Sequence, residues 1–185
     1  MKRAHLAGVI LSISLGLTLS ACSSPEENPI DTLRAAAEAG DMEAQLRLGV
    51  MCDHGEGLPE DDLLAMHWYQ LAAEQGSPAA QVNLGVLYDR GGTIPEDNAT
   101  AVRWFGKAAE QGYVLAYFAL GVMYGTGEGV PEDYQMAYVF FNMAAAGGNE
   151  KASKWRDMFA ARLTADQLAE GQEMARQSYS ALVGT

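Results

Sequence analysis

Apolar residues recur at helical spacing through most of this chain. In the stretch from Pro78 to Tyr88, the side chains of Ala80, Leu84 and Tyr88 stand at i, i+4 and i+8, which places them on one face of an α-helix. A second kind of stripe follows each of the first kind: Ala65, Trp68, Tyr69 and Ala72, then Ala101, Trp104, Phe105 and Ala108, then Ala137, Phe140, Phe141 and Ala144. Large rings opposite alanines interlock between packed helices, so these aromatics read as core and not as a cofactor box. The pattern predicts two alternating amphipathic helices, repeated.

The punctuation between the stripes keeps one step. Gly40, Gly76, Gly112 and Gly148 are 36 residues apart, as are Gly49, Gly85 and Gly121, and Pro59, Pro95 and Pro131. A period of that length is the signature of a solenoid, in which each unit buries its apolar face against its neighbours. Glycine inside the first helix costs about 1 kcal/mol against alanine, so its return at Gly49, Gly85 and Gly121 predicts close approach of another helix. The first helix ends in a turn such as Gly55-Glu-Gly57-Leu-Pro59, where glycine reaches positive φ and proline stops the helix. Glu60-Asp61, Glu96-Asp97 and Glu132-Asp133 then open the second helix. Carboxylates there complement unpaired N–H groups and the positive dipole end, so they need no catalytic or metal-binding explanation.

On Ala73-Glu-Gln-Gly76, Ala80-Gln81, Leu84-Gly-Val-Leu-Tyr88, Ala101-Val-Arg-Trp104 and Gly127-Glu-Gly-Val-Pro131, residues 36 to 148 resemble the Sel1-like repeat family, relatives of tetratricopeptide repeats. The resemblance implies an all-α fold, a right-handed α/α solenoid of three Sel1-like repeats with capping helices. Cys52 stands where the next two repeats carry Tyr88 and Tyr124, and Thr93 interrupts the Gly-x-Gly turn of the second copy.

The front of the chain reads as an address. Lys2 and Arg3 precede an apolar run from Leu6 to Ala21, shorter than the ~20 residues that span a bilayer. Leu19-Ser-Ala-Cys22 resembles the lipobox of bacterial lipoproteins, which implies cleavage before Cys22 and its acylation, palmitate included. Residues 1–21 are then a signal peptide and 22–29 a tether. Ser23 after the cysteine implies, by the same resemblance, the outer membrane facing the periplasm. The solenoid is expected over 30–163, with repeats at about 41–76, 77–112 and 113–148 and a partial fourth. Residues 164–185 are expected to form a closing helix and tail, which Thr164-Ala-Asp-Gln167 opens as a capping box with Leu163 and Leu168 as its staple. Trp155, Met158 and Phe159 are expected to pack inward before it.

Composition narrows the partners. The formal charge of −12 becomes two units more negative once Lys2 and Arg3 are removed with the leader. Nucleic acid is disfavoured, since its binding rests on Lys and Arg neutralising phosphates. A basic or neutral protein fits better, although acidity also serves solubility. Cys52 reads as a small core residue, with an intermolecular bridge as the other reading. His54 and His67 have no cysteine or carboxylate at metal-ligand spacing around both, and the chain carries neither a Gly-x-Ser-x-Gly nor a phosphate-loop motif. No cofactor, metal or catalytic residue is expected.

What remains is a surface. First helices line the inner curve of a two-helix solenoid, and the positions opposite their core stripe are Leu46, Val50, Val82, Val86, Leu115, Phe118 and Val122, with Asp53 and Asp89 at the rim. Solvated helix faces usually carry charge, so this strip is expected to dock a partner helix or extended segment. The two aspartates would favour a basic partner, chiefly through association rate. The other reading packs these residues against one another or beneath the closing helix. The expected function is a non-enzymatic protein-interaction module on the cell envelope, a monomer acting as adaptor, scaffold or immunity-type binder of an effector protein. The alternative is an envelope enzyme or a binder of cell-wall fragments, which requires a polar pocket with perturbed acids.

Overall fold

The computed structural model describes residues 28–183, so the leader, Cys22 and the rest of the tether before Asn28 lie outside the described residues. Among the described residues all regular structure is helical: α1 (Pro29–Glu38), α2 (Met42–His54), α3 (Asp62–Glu74), α4 (Pro78–Arg90), α5 (Asn98–Glu110), α6 (Val114–Thr126), α7 (Tyr134–Ala146), α8 (Glu150–Ala160) and α9 (Ala165–Val183). None of these helices is long and apolar enough to cross a membrane. Three hairpins, α2 with α3, α4 with α5 and α6 with α7, stack in chain order, α1 resting on the first and α8 on the last. The chain is an all-α solenoid.

Each hairpin is tied at its turn by the acidic pair. Asp61, Asp97 and Asp133 are N-caps whose side chains accept from Leu64 N, Thr100 N and Met136 N at 3.0, 2.9 and 2.9 Å. Their own amides donate back to the last turn of the preceding helix, at Cys52 O, Tyr88 O and Tyr124 O. One residue thus satisfies orphan groups on two helices. The second turn has Thr93 where the others have glycine, and its second positive φ falls on Gly92 instead, at 102°.

Close approach explains the in-helix glycines. A Cβ at Gly49 would sit 2.4 Å from the Tyr69 ring, at Gly85 2.5 Å from Phe105, and at Gly121 2.9 Å from Phe141. Each second helix therefore presses a ring onto the backbone of its own first helix, and the helical penalty of glycine is offset by that contact.

A row of buried hydrogen bonds, which the apolar stripes gave no reason to expect, links the repeats. Gln45 on α2 donates to Ala37 O at 3.0 Å and accepts from Gln75 at 2.7 Å. One period on, Gln81 donates to Ala73 O at 3.2 Å and accepts from Gln111 at 2.9 Å. In the third copy Tyr117 takes over, its hydroxyl donating to Ala109 O at 2.9 Å.

The end of the solenoid departs from expectation. Phe159 is buried, yet Met158 is 41% and Trp155 39% exposed, so Met158 does not pack inward and Trp155 does so only in part, stacked on Phe141 with centroids 5.6 Å apart. The cause lies in α8 itself: where α2 has Leu48, Gly49 and Cys52 to receive a second helix, α8 has Arg156, Asp157 and Ala160. Arg156 and Asp157 pair with each other at 2.8 Å instead. With no apolar seat on α8, α9 turns back over α7, where Gly171 lies against Tyr138 and Ala175 is buried. The capping box that opens α9 is formed, Thr164 N donating to Gln167 Oε1 at 3.0 Å and Gln167 N to Thr164 Oγ1 at 3.3 Å.

Candidate functional site: the face of the first helices

The surface opposite the core stripe of α2, α4 and α6 is only partly greasy. Val86 and Leu115 are 41% and 51% exposed. Leu46, Val50, Phe118 and Val122 are half-buried and lean on the core, Phe118 meeting Phe141 edge to face with centroids 5.4 Å apart. Val82 is a correction: at 8% exposure it belongs to the core around α5 and α6, because the face of α4 turns toward its neighbour there. Seven expected lining residues thus reduce to a strip whose open part is Val86 and Leu115, flanked by the four half-buried ones. Among the described residues the closing helix packs chiefly on α7, away from α2 and α4.

The two rim aspartates differ. Asp53 is a second correction, because its side chain is only 10% exposed and already engaged. Tyr69 donates its hydroxyl to Asp53 Oδ2 at 3.2 Å, and Arg90 Nη2 bridges Asp53 Oδ1 at 3.1 Å and Asp62 Oδ1 at 2.6 Å. A buried phenol needs an acceptor, and Asp53 supplies it. Burial, with the negative charge of Asp53 next, holds the Tyr69 phenol well above its ordinary pKa. Asp53 is therefore a structural acceptor in the first repeat, not a free charge for a partner. Asp89 has no such partner among the described residues. Burial first, then Glu128 and Glu96, push its carboxyl above the usual range.

Of three clefts on the surface, one includes strip residues. One of about 460 Å³ lies on α2 between Glu43, Leu46, Val50 and Glu56. Another of about 540 Å³ opens between α1 and α2 beside Ile30, Leu33 and Met51, and a third of about 400 Å³ between α5, α6 and α7 beside Gly106, Leu120 and Phe140. Among the described residues no three His, Cys, Asp or Glu side chains are grouped as metal ligands. His54 is exposed and turned to Val50 O at 3.1 Å. Cys52 is fully buried, and burial raises its thiol pKa further, so a bridge to another molecule would require local unfolding. Cys22 lies outside the described residues.

Sequence reasoning missed Arg90 and Asp62 as organisers of this face and the glutamines as links between repeats. A signal was present for the glutamines: Gln45 with Gln81 and Gln75 with Gln111 keep the 36-residue step. For Arg90 there was none, since the third repeat puts Thr126 at that position.

With this geometry in place, the likenesses to other proteins are informative. The chain matches the Sel1 repeat model over residues 43–77, 78–113 and 114–149. Similar solved structures include a Sel1 repeat protein from Oxalobacter formigenes, 37% identical, with a TM-score of 0.61 over 68% of this chain and 95% of that one. A protective antigen present in uropathogenic Escherichia coli strains and displaying an SLR fold is 28% identical, with a TM-score of 0.55 over 84% of this chain and 42% of that one. The chain thus spans less than half the length of that antigen. Helicobacter pylori cysteine rich protein B shares the fold at 20% identity, with a TM-score of 0.55 over 70% of this chain and 98% of that one. No curated protein matches the chain.

Proposed function

We propose, from the premise that this chain belongs to the Sel1 repeat family, that it is a non-catalytic binder of another protein, held on the bacterial cell envelope by a lipid on Cys22. Sel1-repeat proteins generally mediate protein–protein interaction, and their fold is typically a scaffold without chemistry of its own. The finer reading is an adaptor or immunity-type binder, lipid-anchored and facing the periplasm. The observation that carries it is the pair Val86 and Leu115, exposed on the first-helix face of α4 and α6 between half-buried apolar neighbours. Water-facing helix surfaces normally carry charge, and an apolar strip with Asp89 at its rim suits the apolar side of a peptide or helix. A binder of cell-wall fragments would need polar groups converging on sugar hydroxyls, and valine, leucine and phenylalanine do not provide them.

Two measurements test this. The mature protein and its Val86→Asp/Leu115→Asp variant are used to capture partners from envelope extract, with helicity followed by circular dichroism. One protein recovered in stoichiometric amount by the first and lost by the helical variant is the expected result; equal recovery overturns the strip as the docking face. Cys22→Ser should abolish incorporation of radioactive palmitate, and a labelled variant would end the lipoprotein reading.

A further inference from the structure

The repeat frame makes a comparison possible between two sites that differ by one period. In the first, Asp53 at the end of α2 and Asp62 at the start of α3 both accept from the Arg90 guanidinium, delivered by the end of α4. Thirty-six residues on, the acceptors return as Asp89 at the end of α4 and Asn98 at the start of α5, while the donor position holds Thr126. Thr126 turns its hydroxyl to Val122 O at 3.1 Å and to Glu128 Oε2 at 3.1 Å, and reaches neither acceptor. Asn98 donates from Nδ2 to Glu96 Oε1 at 2.9 Å, but its Oδ1 is buried without a hydrogen-bond partner, the counterpart of the Asp62 Oδ1 that Arg90 satisfies. No Lys, Arg or His among the described residues pairs with Asp89. The second repeat keeps the receiving groups and lacks the cation.

This position adjoins the apolar strip. Val86 precedes Asp89 by three residues on α4 and so shares its face, and Val122 and Leu115 continue the strip on α6. We propose that the strip docks an apolar segment of a partner protein that carries an arginine, and that Asp89 receives this arginine as Asp53 receives Arg90. Arginine suits the place better than lysine, because its planar fork offers several N–H donors at fixed angles while an ammonium is a compact, strongly hydrated point charge. Burial of Asp89, with Glu96 and Glu128 nearby, leaves its carboxylate poorly compensated until such a cation arrives. The inference rests on the protein-docking reading above and names the chemistry of the docked segment.

A random dodecapeptide display library panned on the mature protein tests it. Arginine within a few positions of an apolar residue is the expected enrichment, with binding about tenfold weaker to Asp89→Asn and lost on Val86→Asp/Leu115→Asp. Asp89→Asn removes one acid of 24, so a general attraction of basic peptides to an acidic protein would hardly change. Thr126→Arg gives a second handle, since it installs this chain's own guanidinium one period after Arg90 and should weaken the same peptides about tenfold by occupying Asp89. Peptides that need Val86 and Leu115 but show no arginine preference, or ignore both Asp89→Asn and Thr126→Arg, overturn the arginine and leave the docking face standing. Selection of no peptide sensitive to Val86→Asp/Leu115→Asp overturns both.

Discussion

The first and last hairpins of this solenoid share one backbone frame and hold it by different chemistry. Around α2, α3 and α4 the neighbours are joined by directional bonds: Gln45 and Gln81 bridge successive helices, and Arg90 ties Asp53 to Asp62. Around α6, α7 and α8 rings take over, with Phe141 stacked on Trp155 and Phe159 at 5.6 Å and met edge-on by Phe118. Tyr117 continues the row of buried side-chain bonds between repeats there, with its hydroxyl on Ala109 O. Rings contribute buried area and tolerate sliding; a buried carboxamide with fixed partners does not. The front of the solenoid is therefore fixed in register by polar bonds and the back by ring area, with the glycine slots common to both.

Those shared slots give the largest expected effect. Leucine at Gly49, Gly85 or Gly121 must displace Tyr69, Phe105 or Phe141 and part the hairpin, costing about 3 kcal/mol or more at each place. Urea midpoints read this directly, and trimming the ring in the same molecule, as in Gly85→Ala with Phe105→Leu, should recover part of the loss seen for Gly85→Ala alone. A variant at any of the three slots that loses under about 1 kcal/mol would show that the front and back do not share this element.

The polar front and aromatic back separate at the next level. Gln81→Ala removes two side-chain hydrogen bonds, its own to Ala73 O and that of the Gln111 amide to Gln81 Oε1, and opens a small buried void, so about 2–3 kcal/mol should be lost. Tyr117→Phe removes a single bond to Ala109 O and keeps the ring, for about 1 kcal/mol. Equal losses in denaturant titrations would erase the proposed distinction between the two ends.

Much of the common frame was legible because it is periodic. Gly85 against Phe105, Asp97 as an N-cap and the Trp68–Tyr69 stripe all follow from one local rule applied three times. What escaped lies where the repeats differ from one another. Val82 looks like Val86 in a helical projection, and it is the packing of α4 against the core around α5 and α6 that buries one and leaves the other exposed. Asp53 and Asp89 are the same residue at the same repeat position, yet their environments are set by Arg90 and Thr126, residues 37 positions away in each case. The polar substitutions Arg156 and Asp157 on α8 were visible in the sequence as breaks in the stripe, and they account for why α9 docks on α7.

The Tyr69 hydroxyl sharpens the comparison through pH. Its folded pKa is raised above the unfolded value of 10.0 by burial and by Asp53, so the unfolded chain loses the proton first as pH rises. Stability from this group is complete below about pH 10 and declines above it. Tyr69→Phe, which copies the second and third repeats, should cost about 1 kcal/mol near neutral pH, where Asp53 loses a donor, and should flatten part of the alkaline decline. Tyr117, also raised by burial, retains its share of that decline. Thermal midpoints measured from about pH 8 to about pH 11 check this. An alkaline limb identical in the variant would place the Tyr69 phenol in water.

The smallest effect should differ in sign between two aspartates one period apart. Asp53→Asn weakens the Arg90 bridge and is expected to cost about 1 kcal/mol. Asp89→Asn removes a carboxylate that burial and two glutamates disfavour, and should stabilise by no more than about 0.5 kcal/mol, because solvent screens the half-exposed group. Its folded pKa lies above the 3.8 of the unfolded chain, so the unfolded state ionises first and the wild type loses this increment as pH climbs through that value toward neutrality. The difference in thermal midpoint between Asp89→Asn and wild type should then be near zero at about pH 3 and open by about pH 6. If the two substitutions instead destabilise alike at neutral pH, Asp89 already has a cation within this chain, and the second repeat has no vacancy for a partner's arginine to fill.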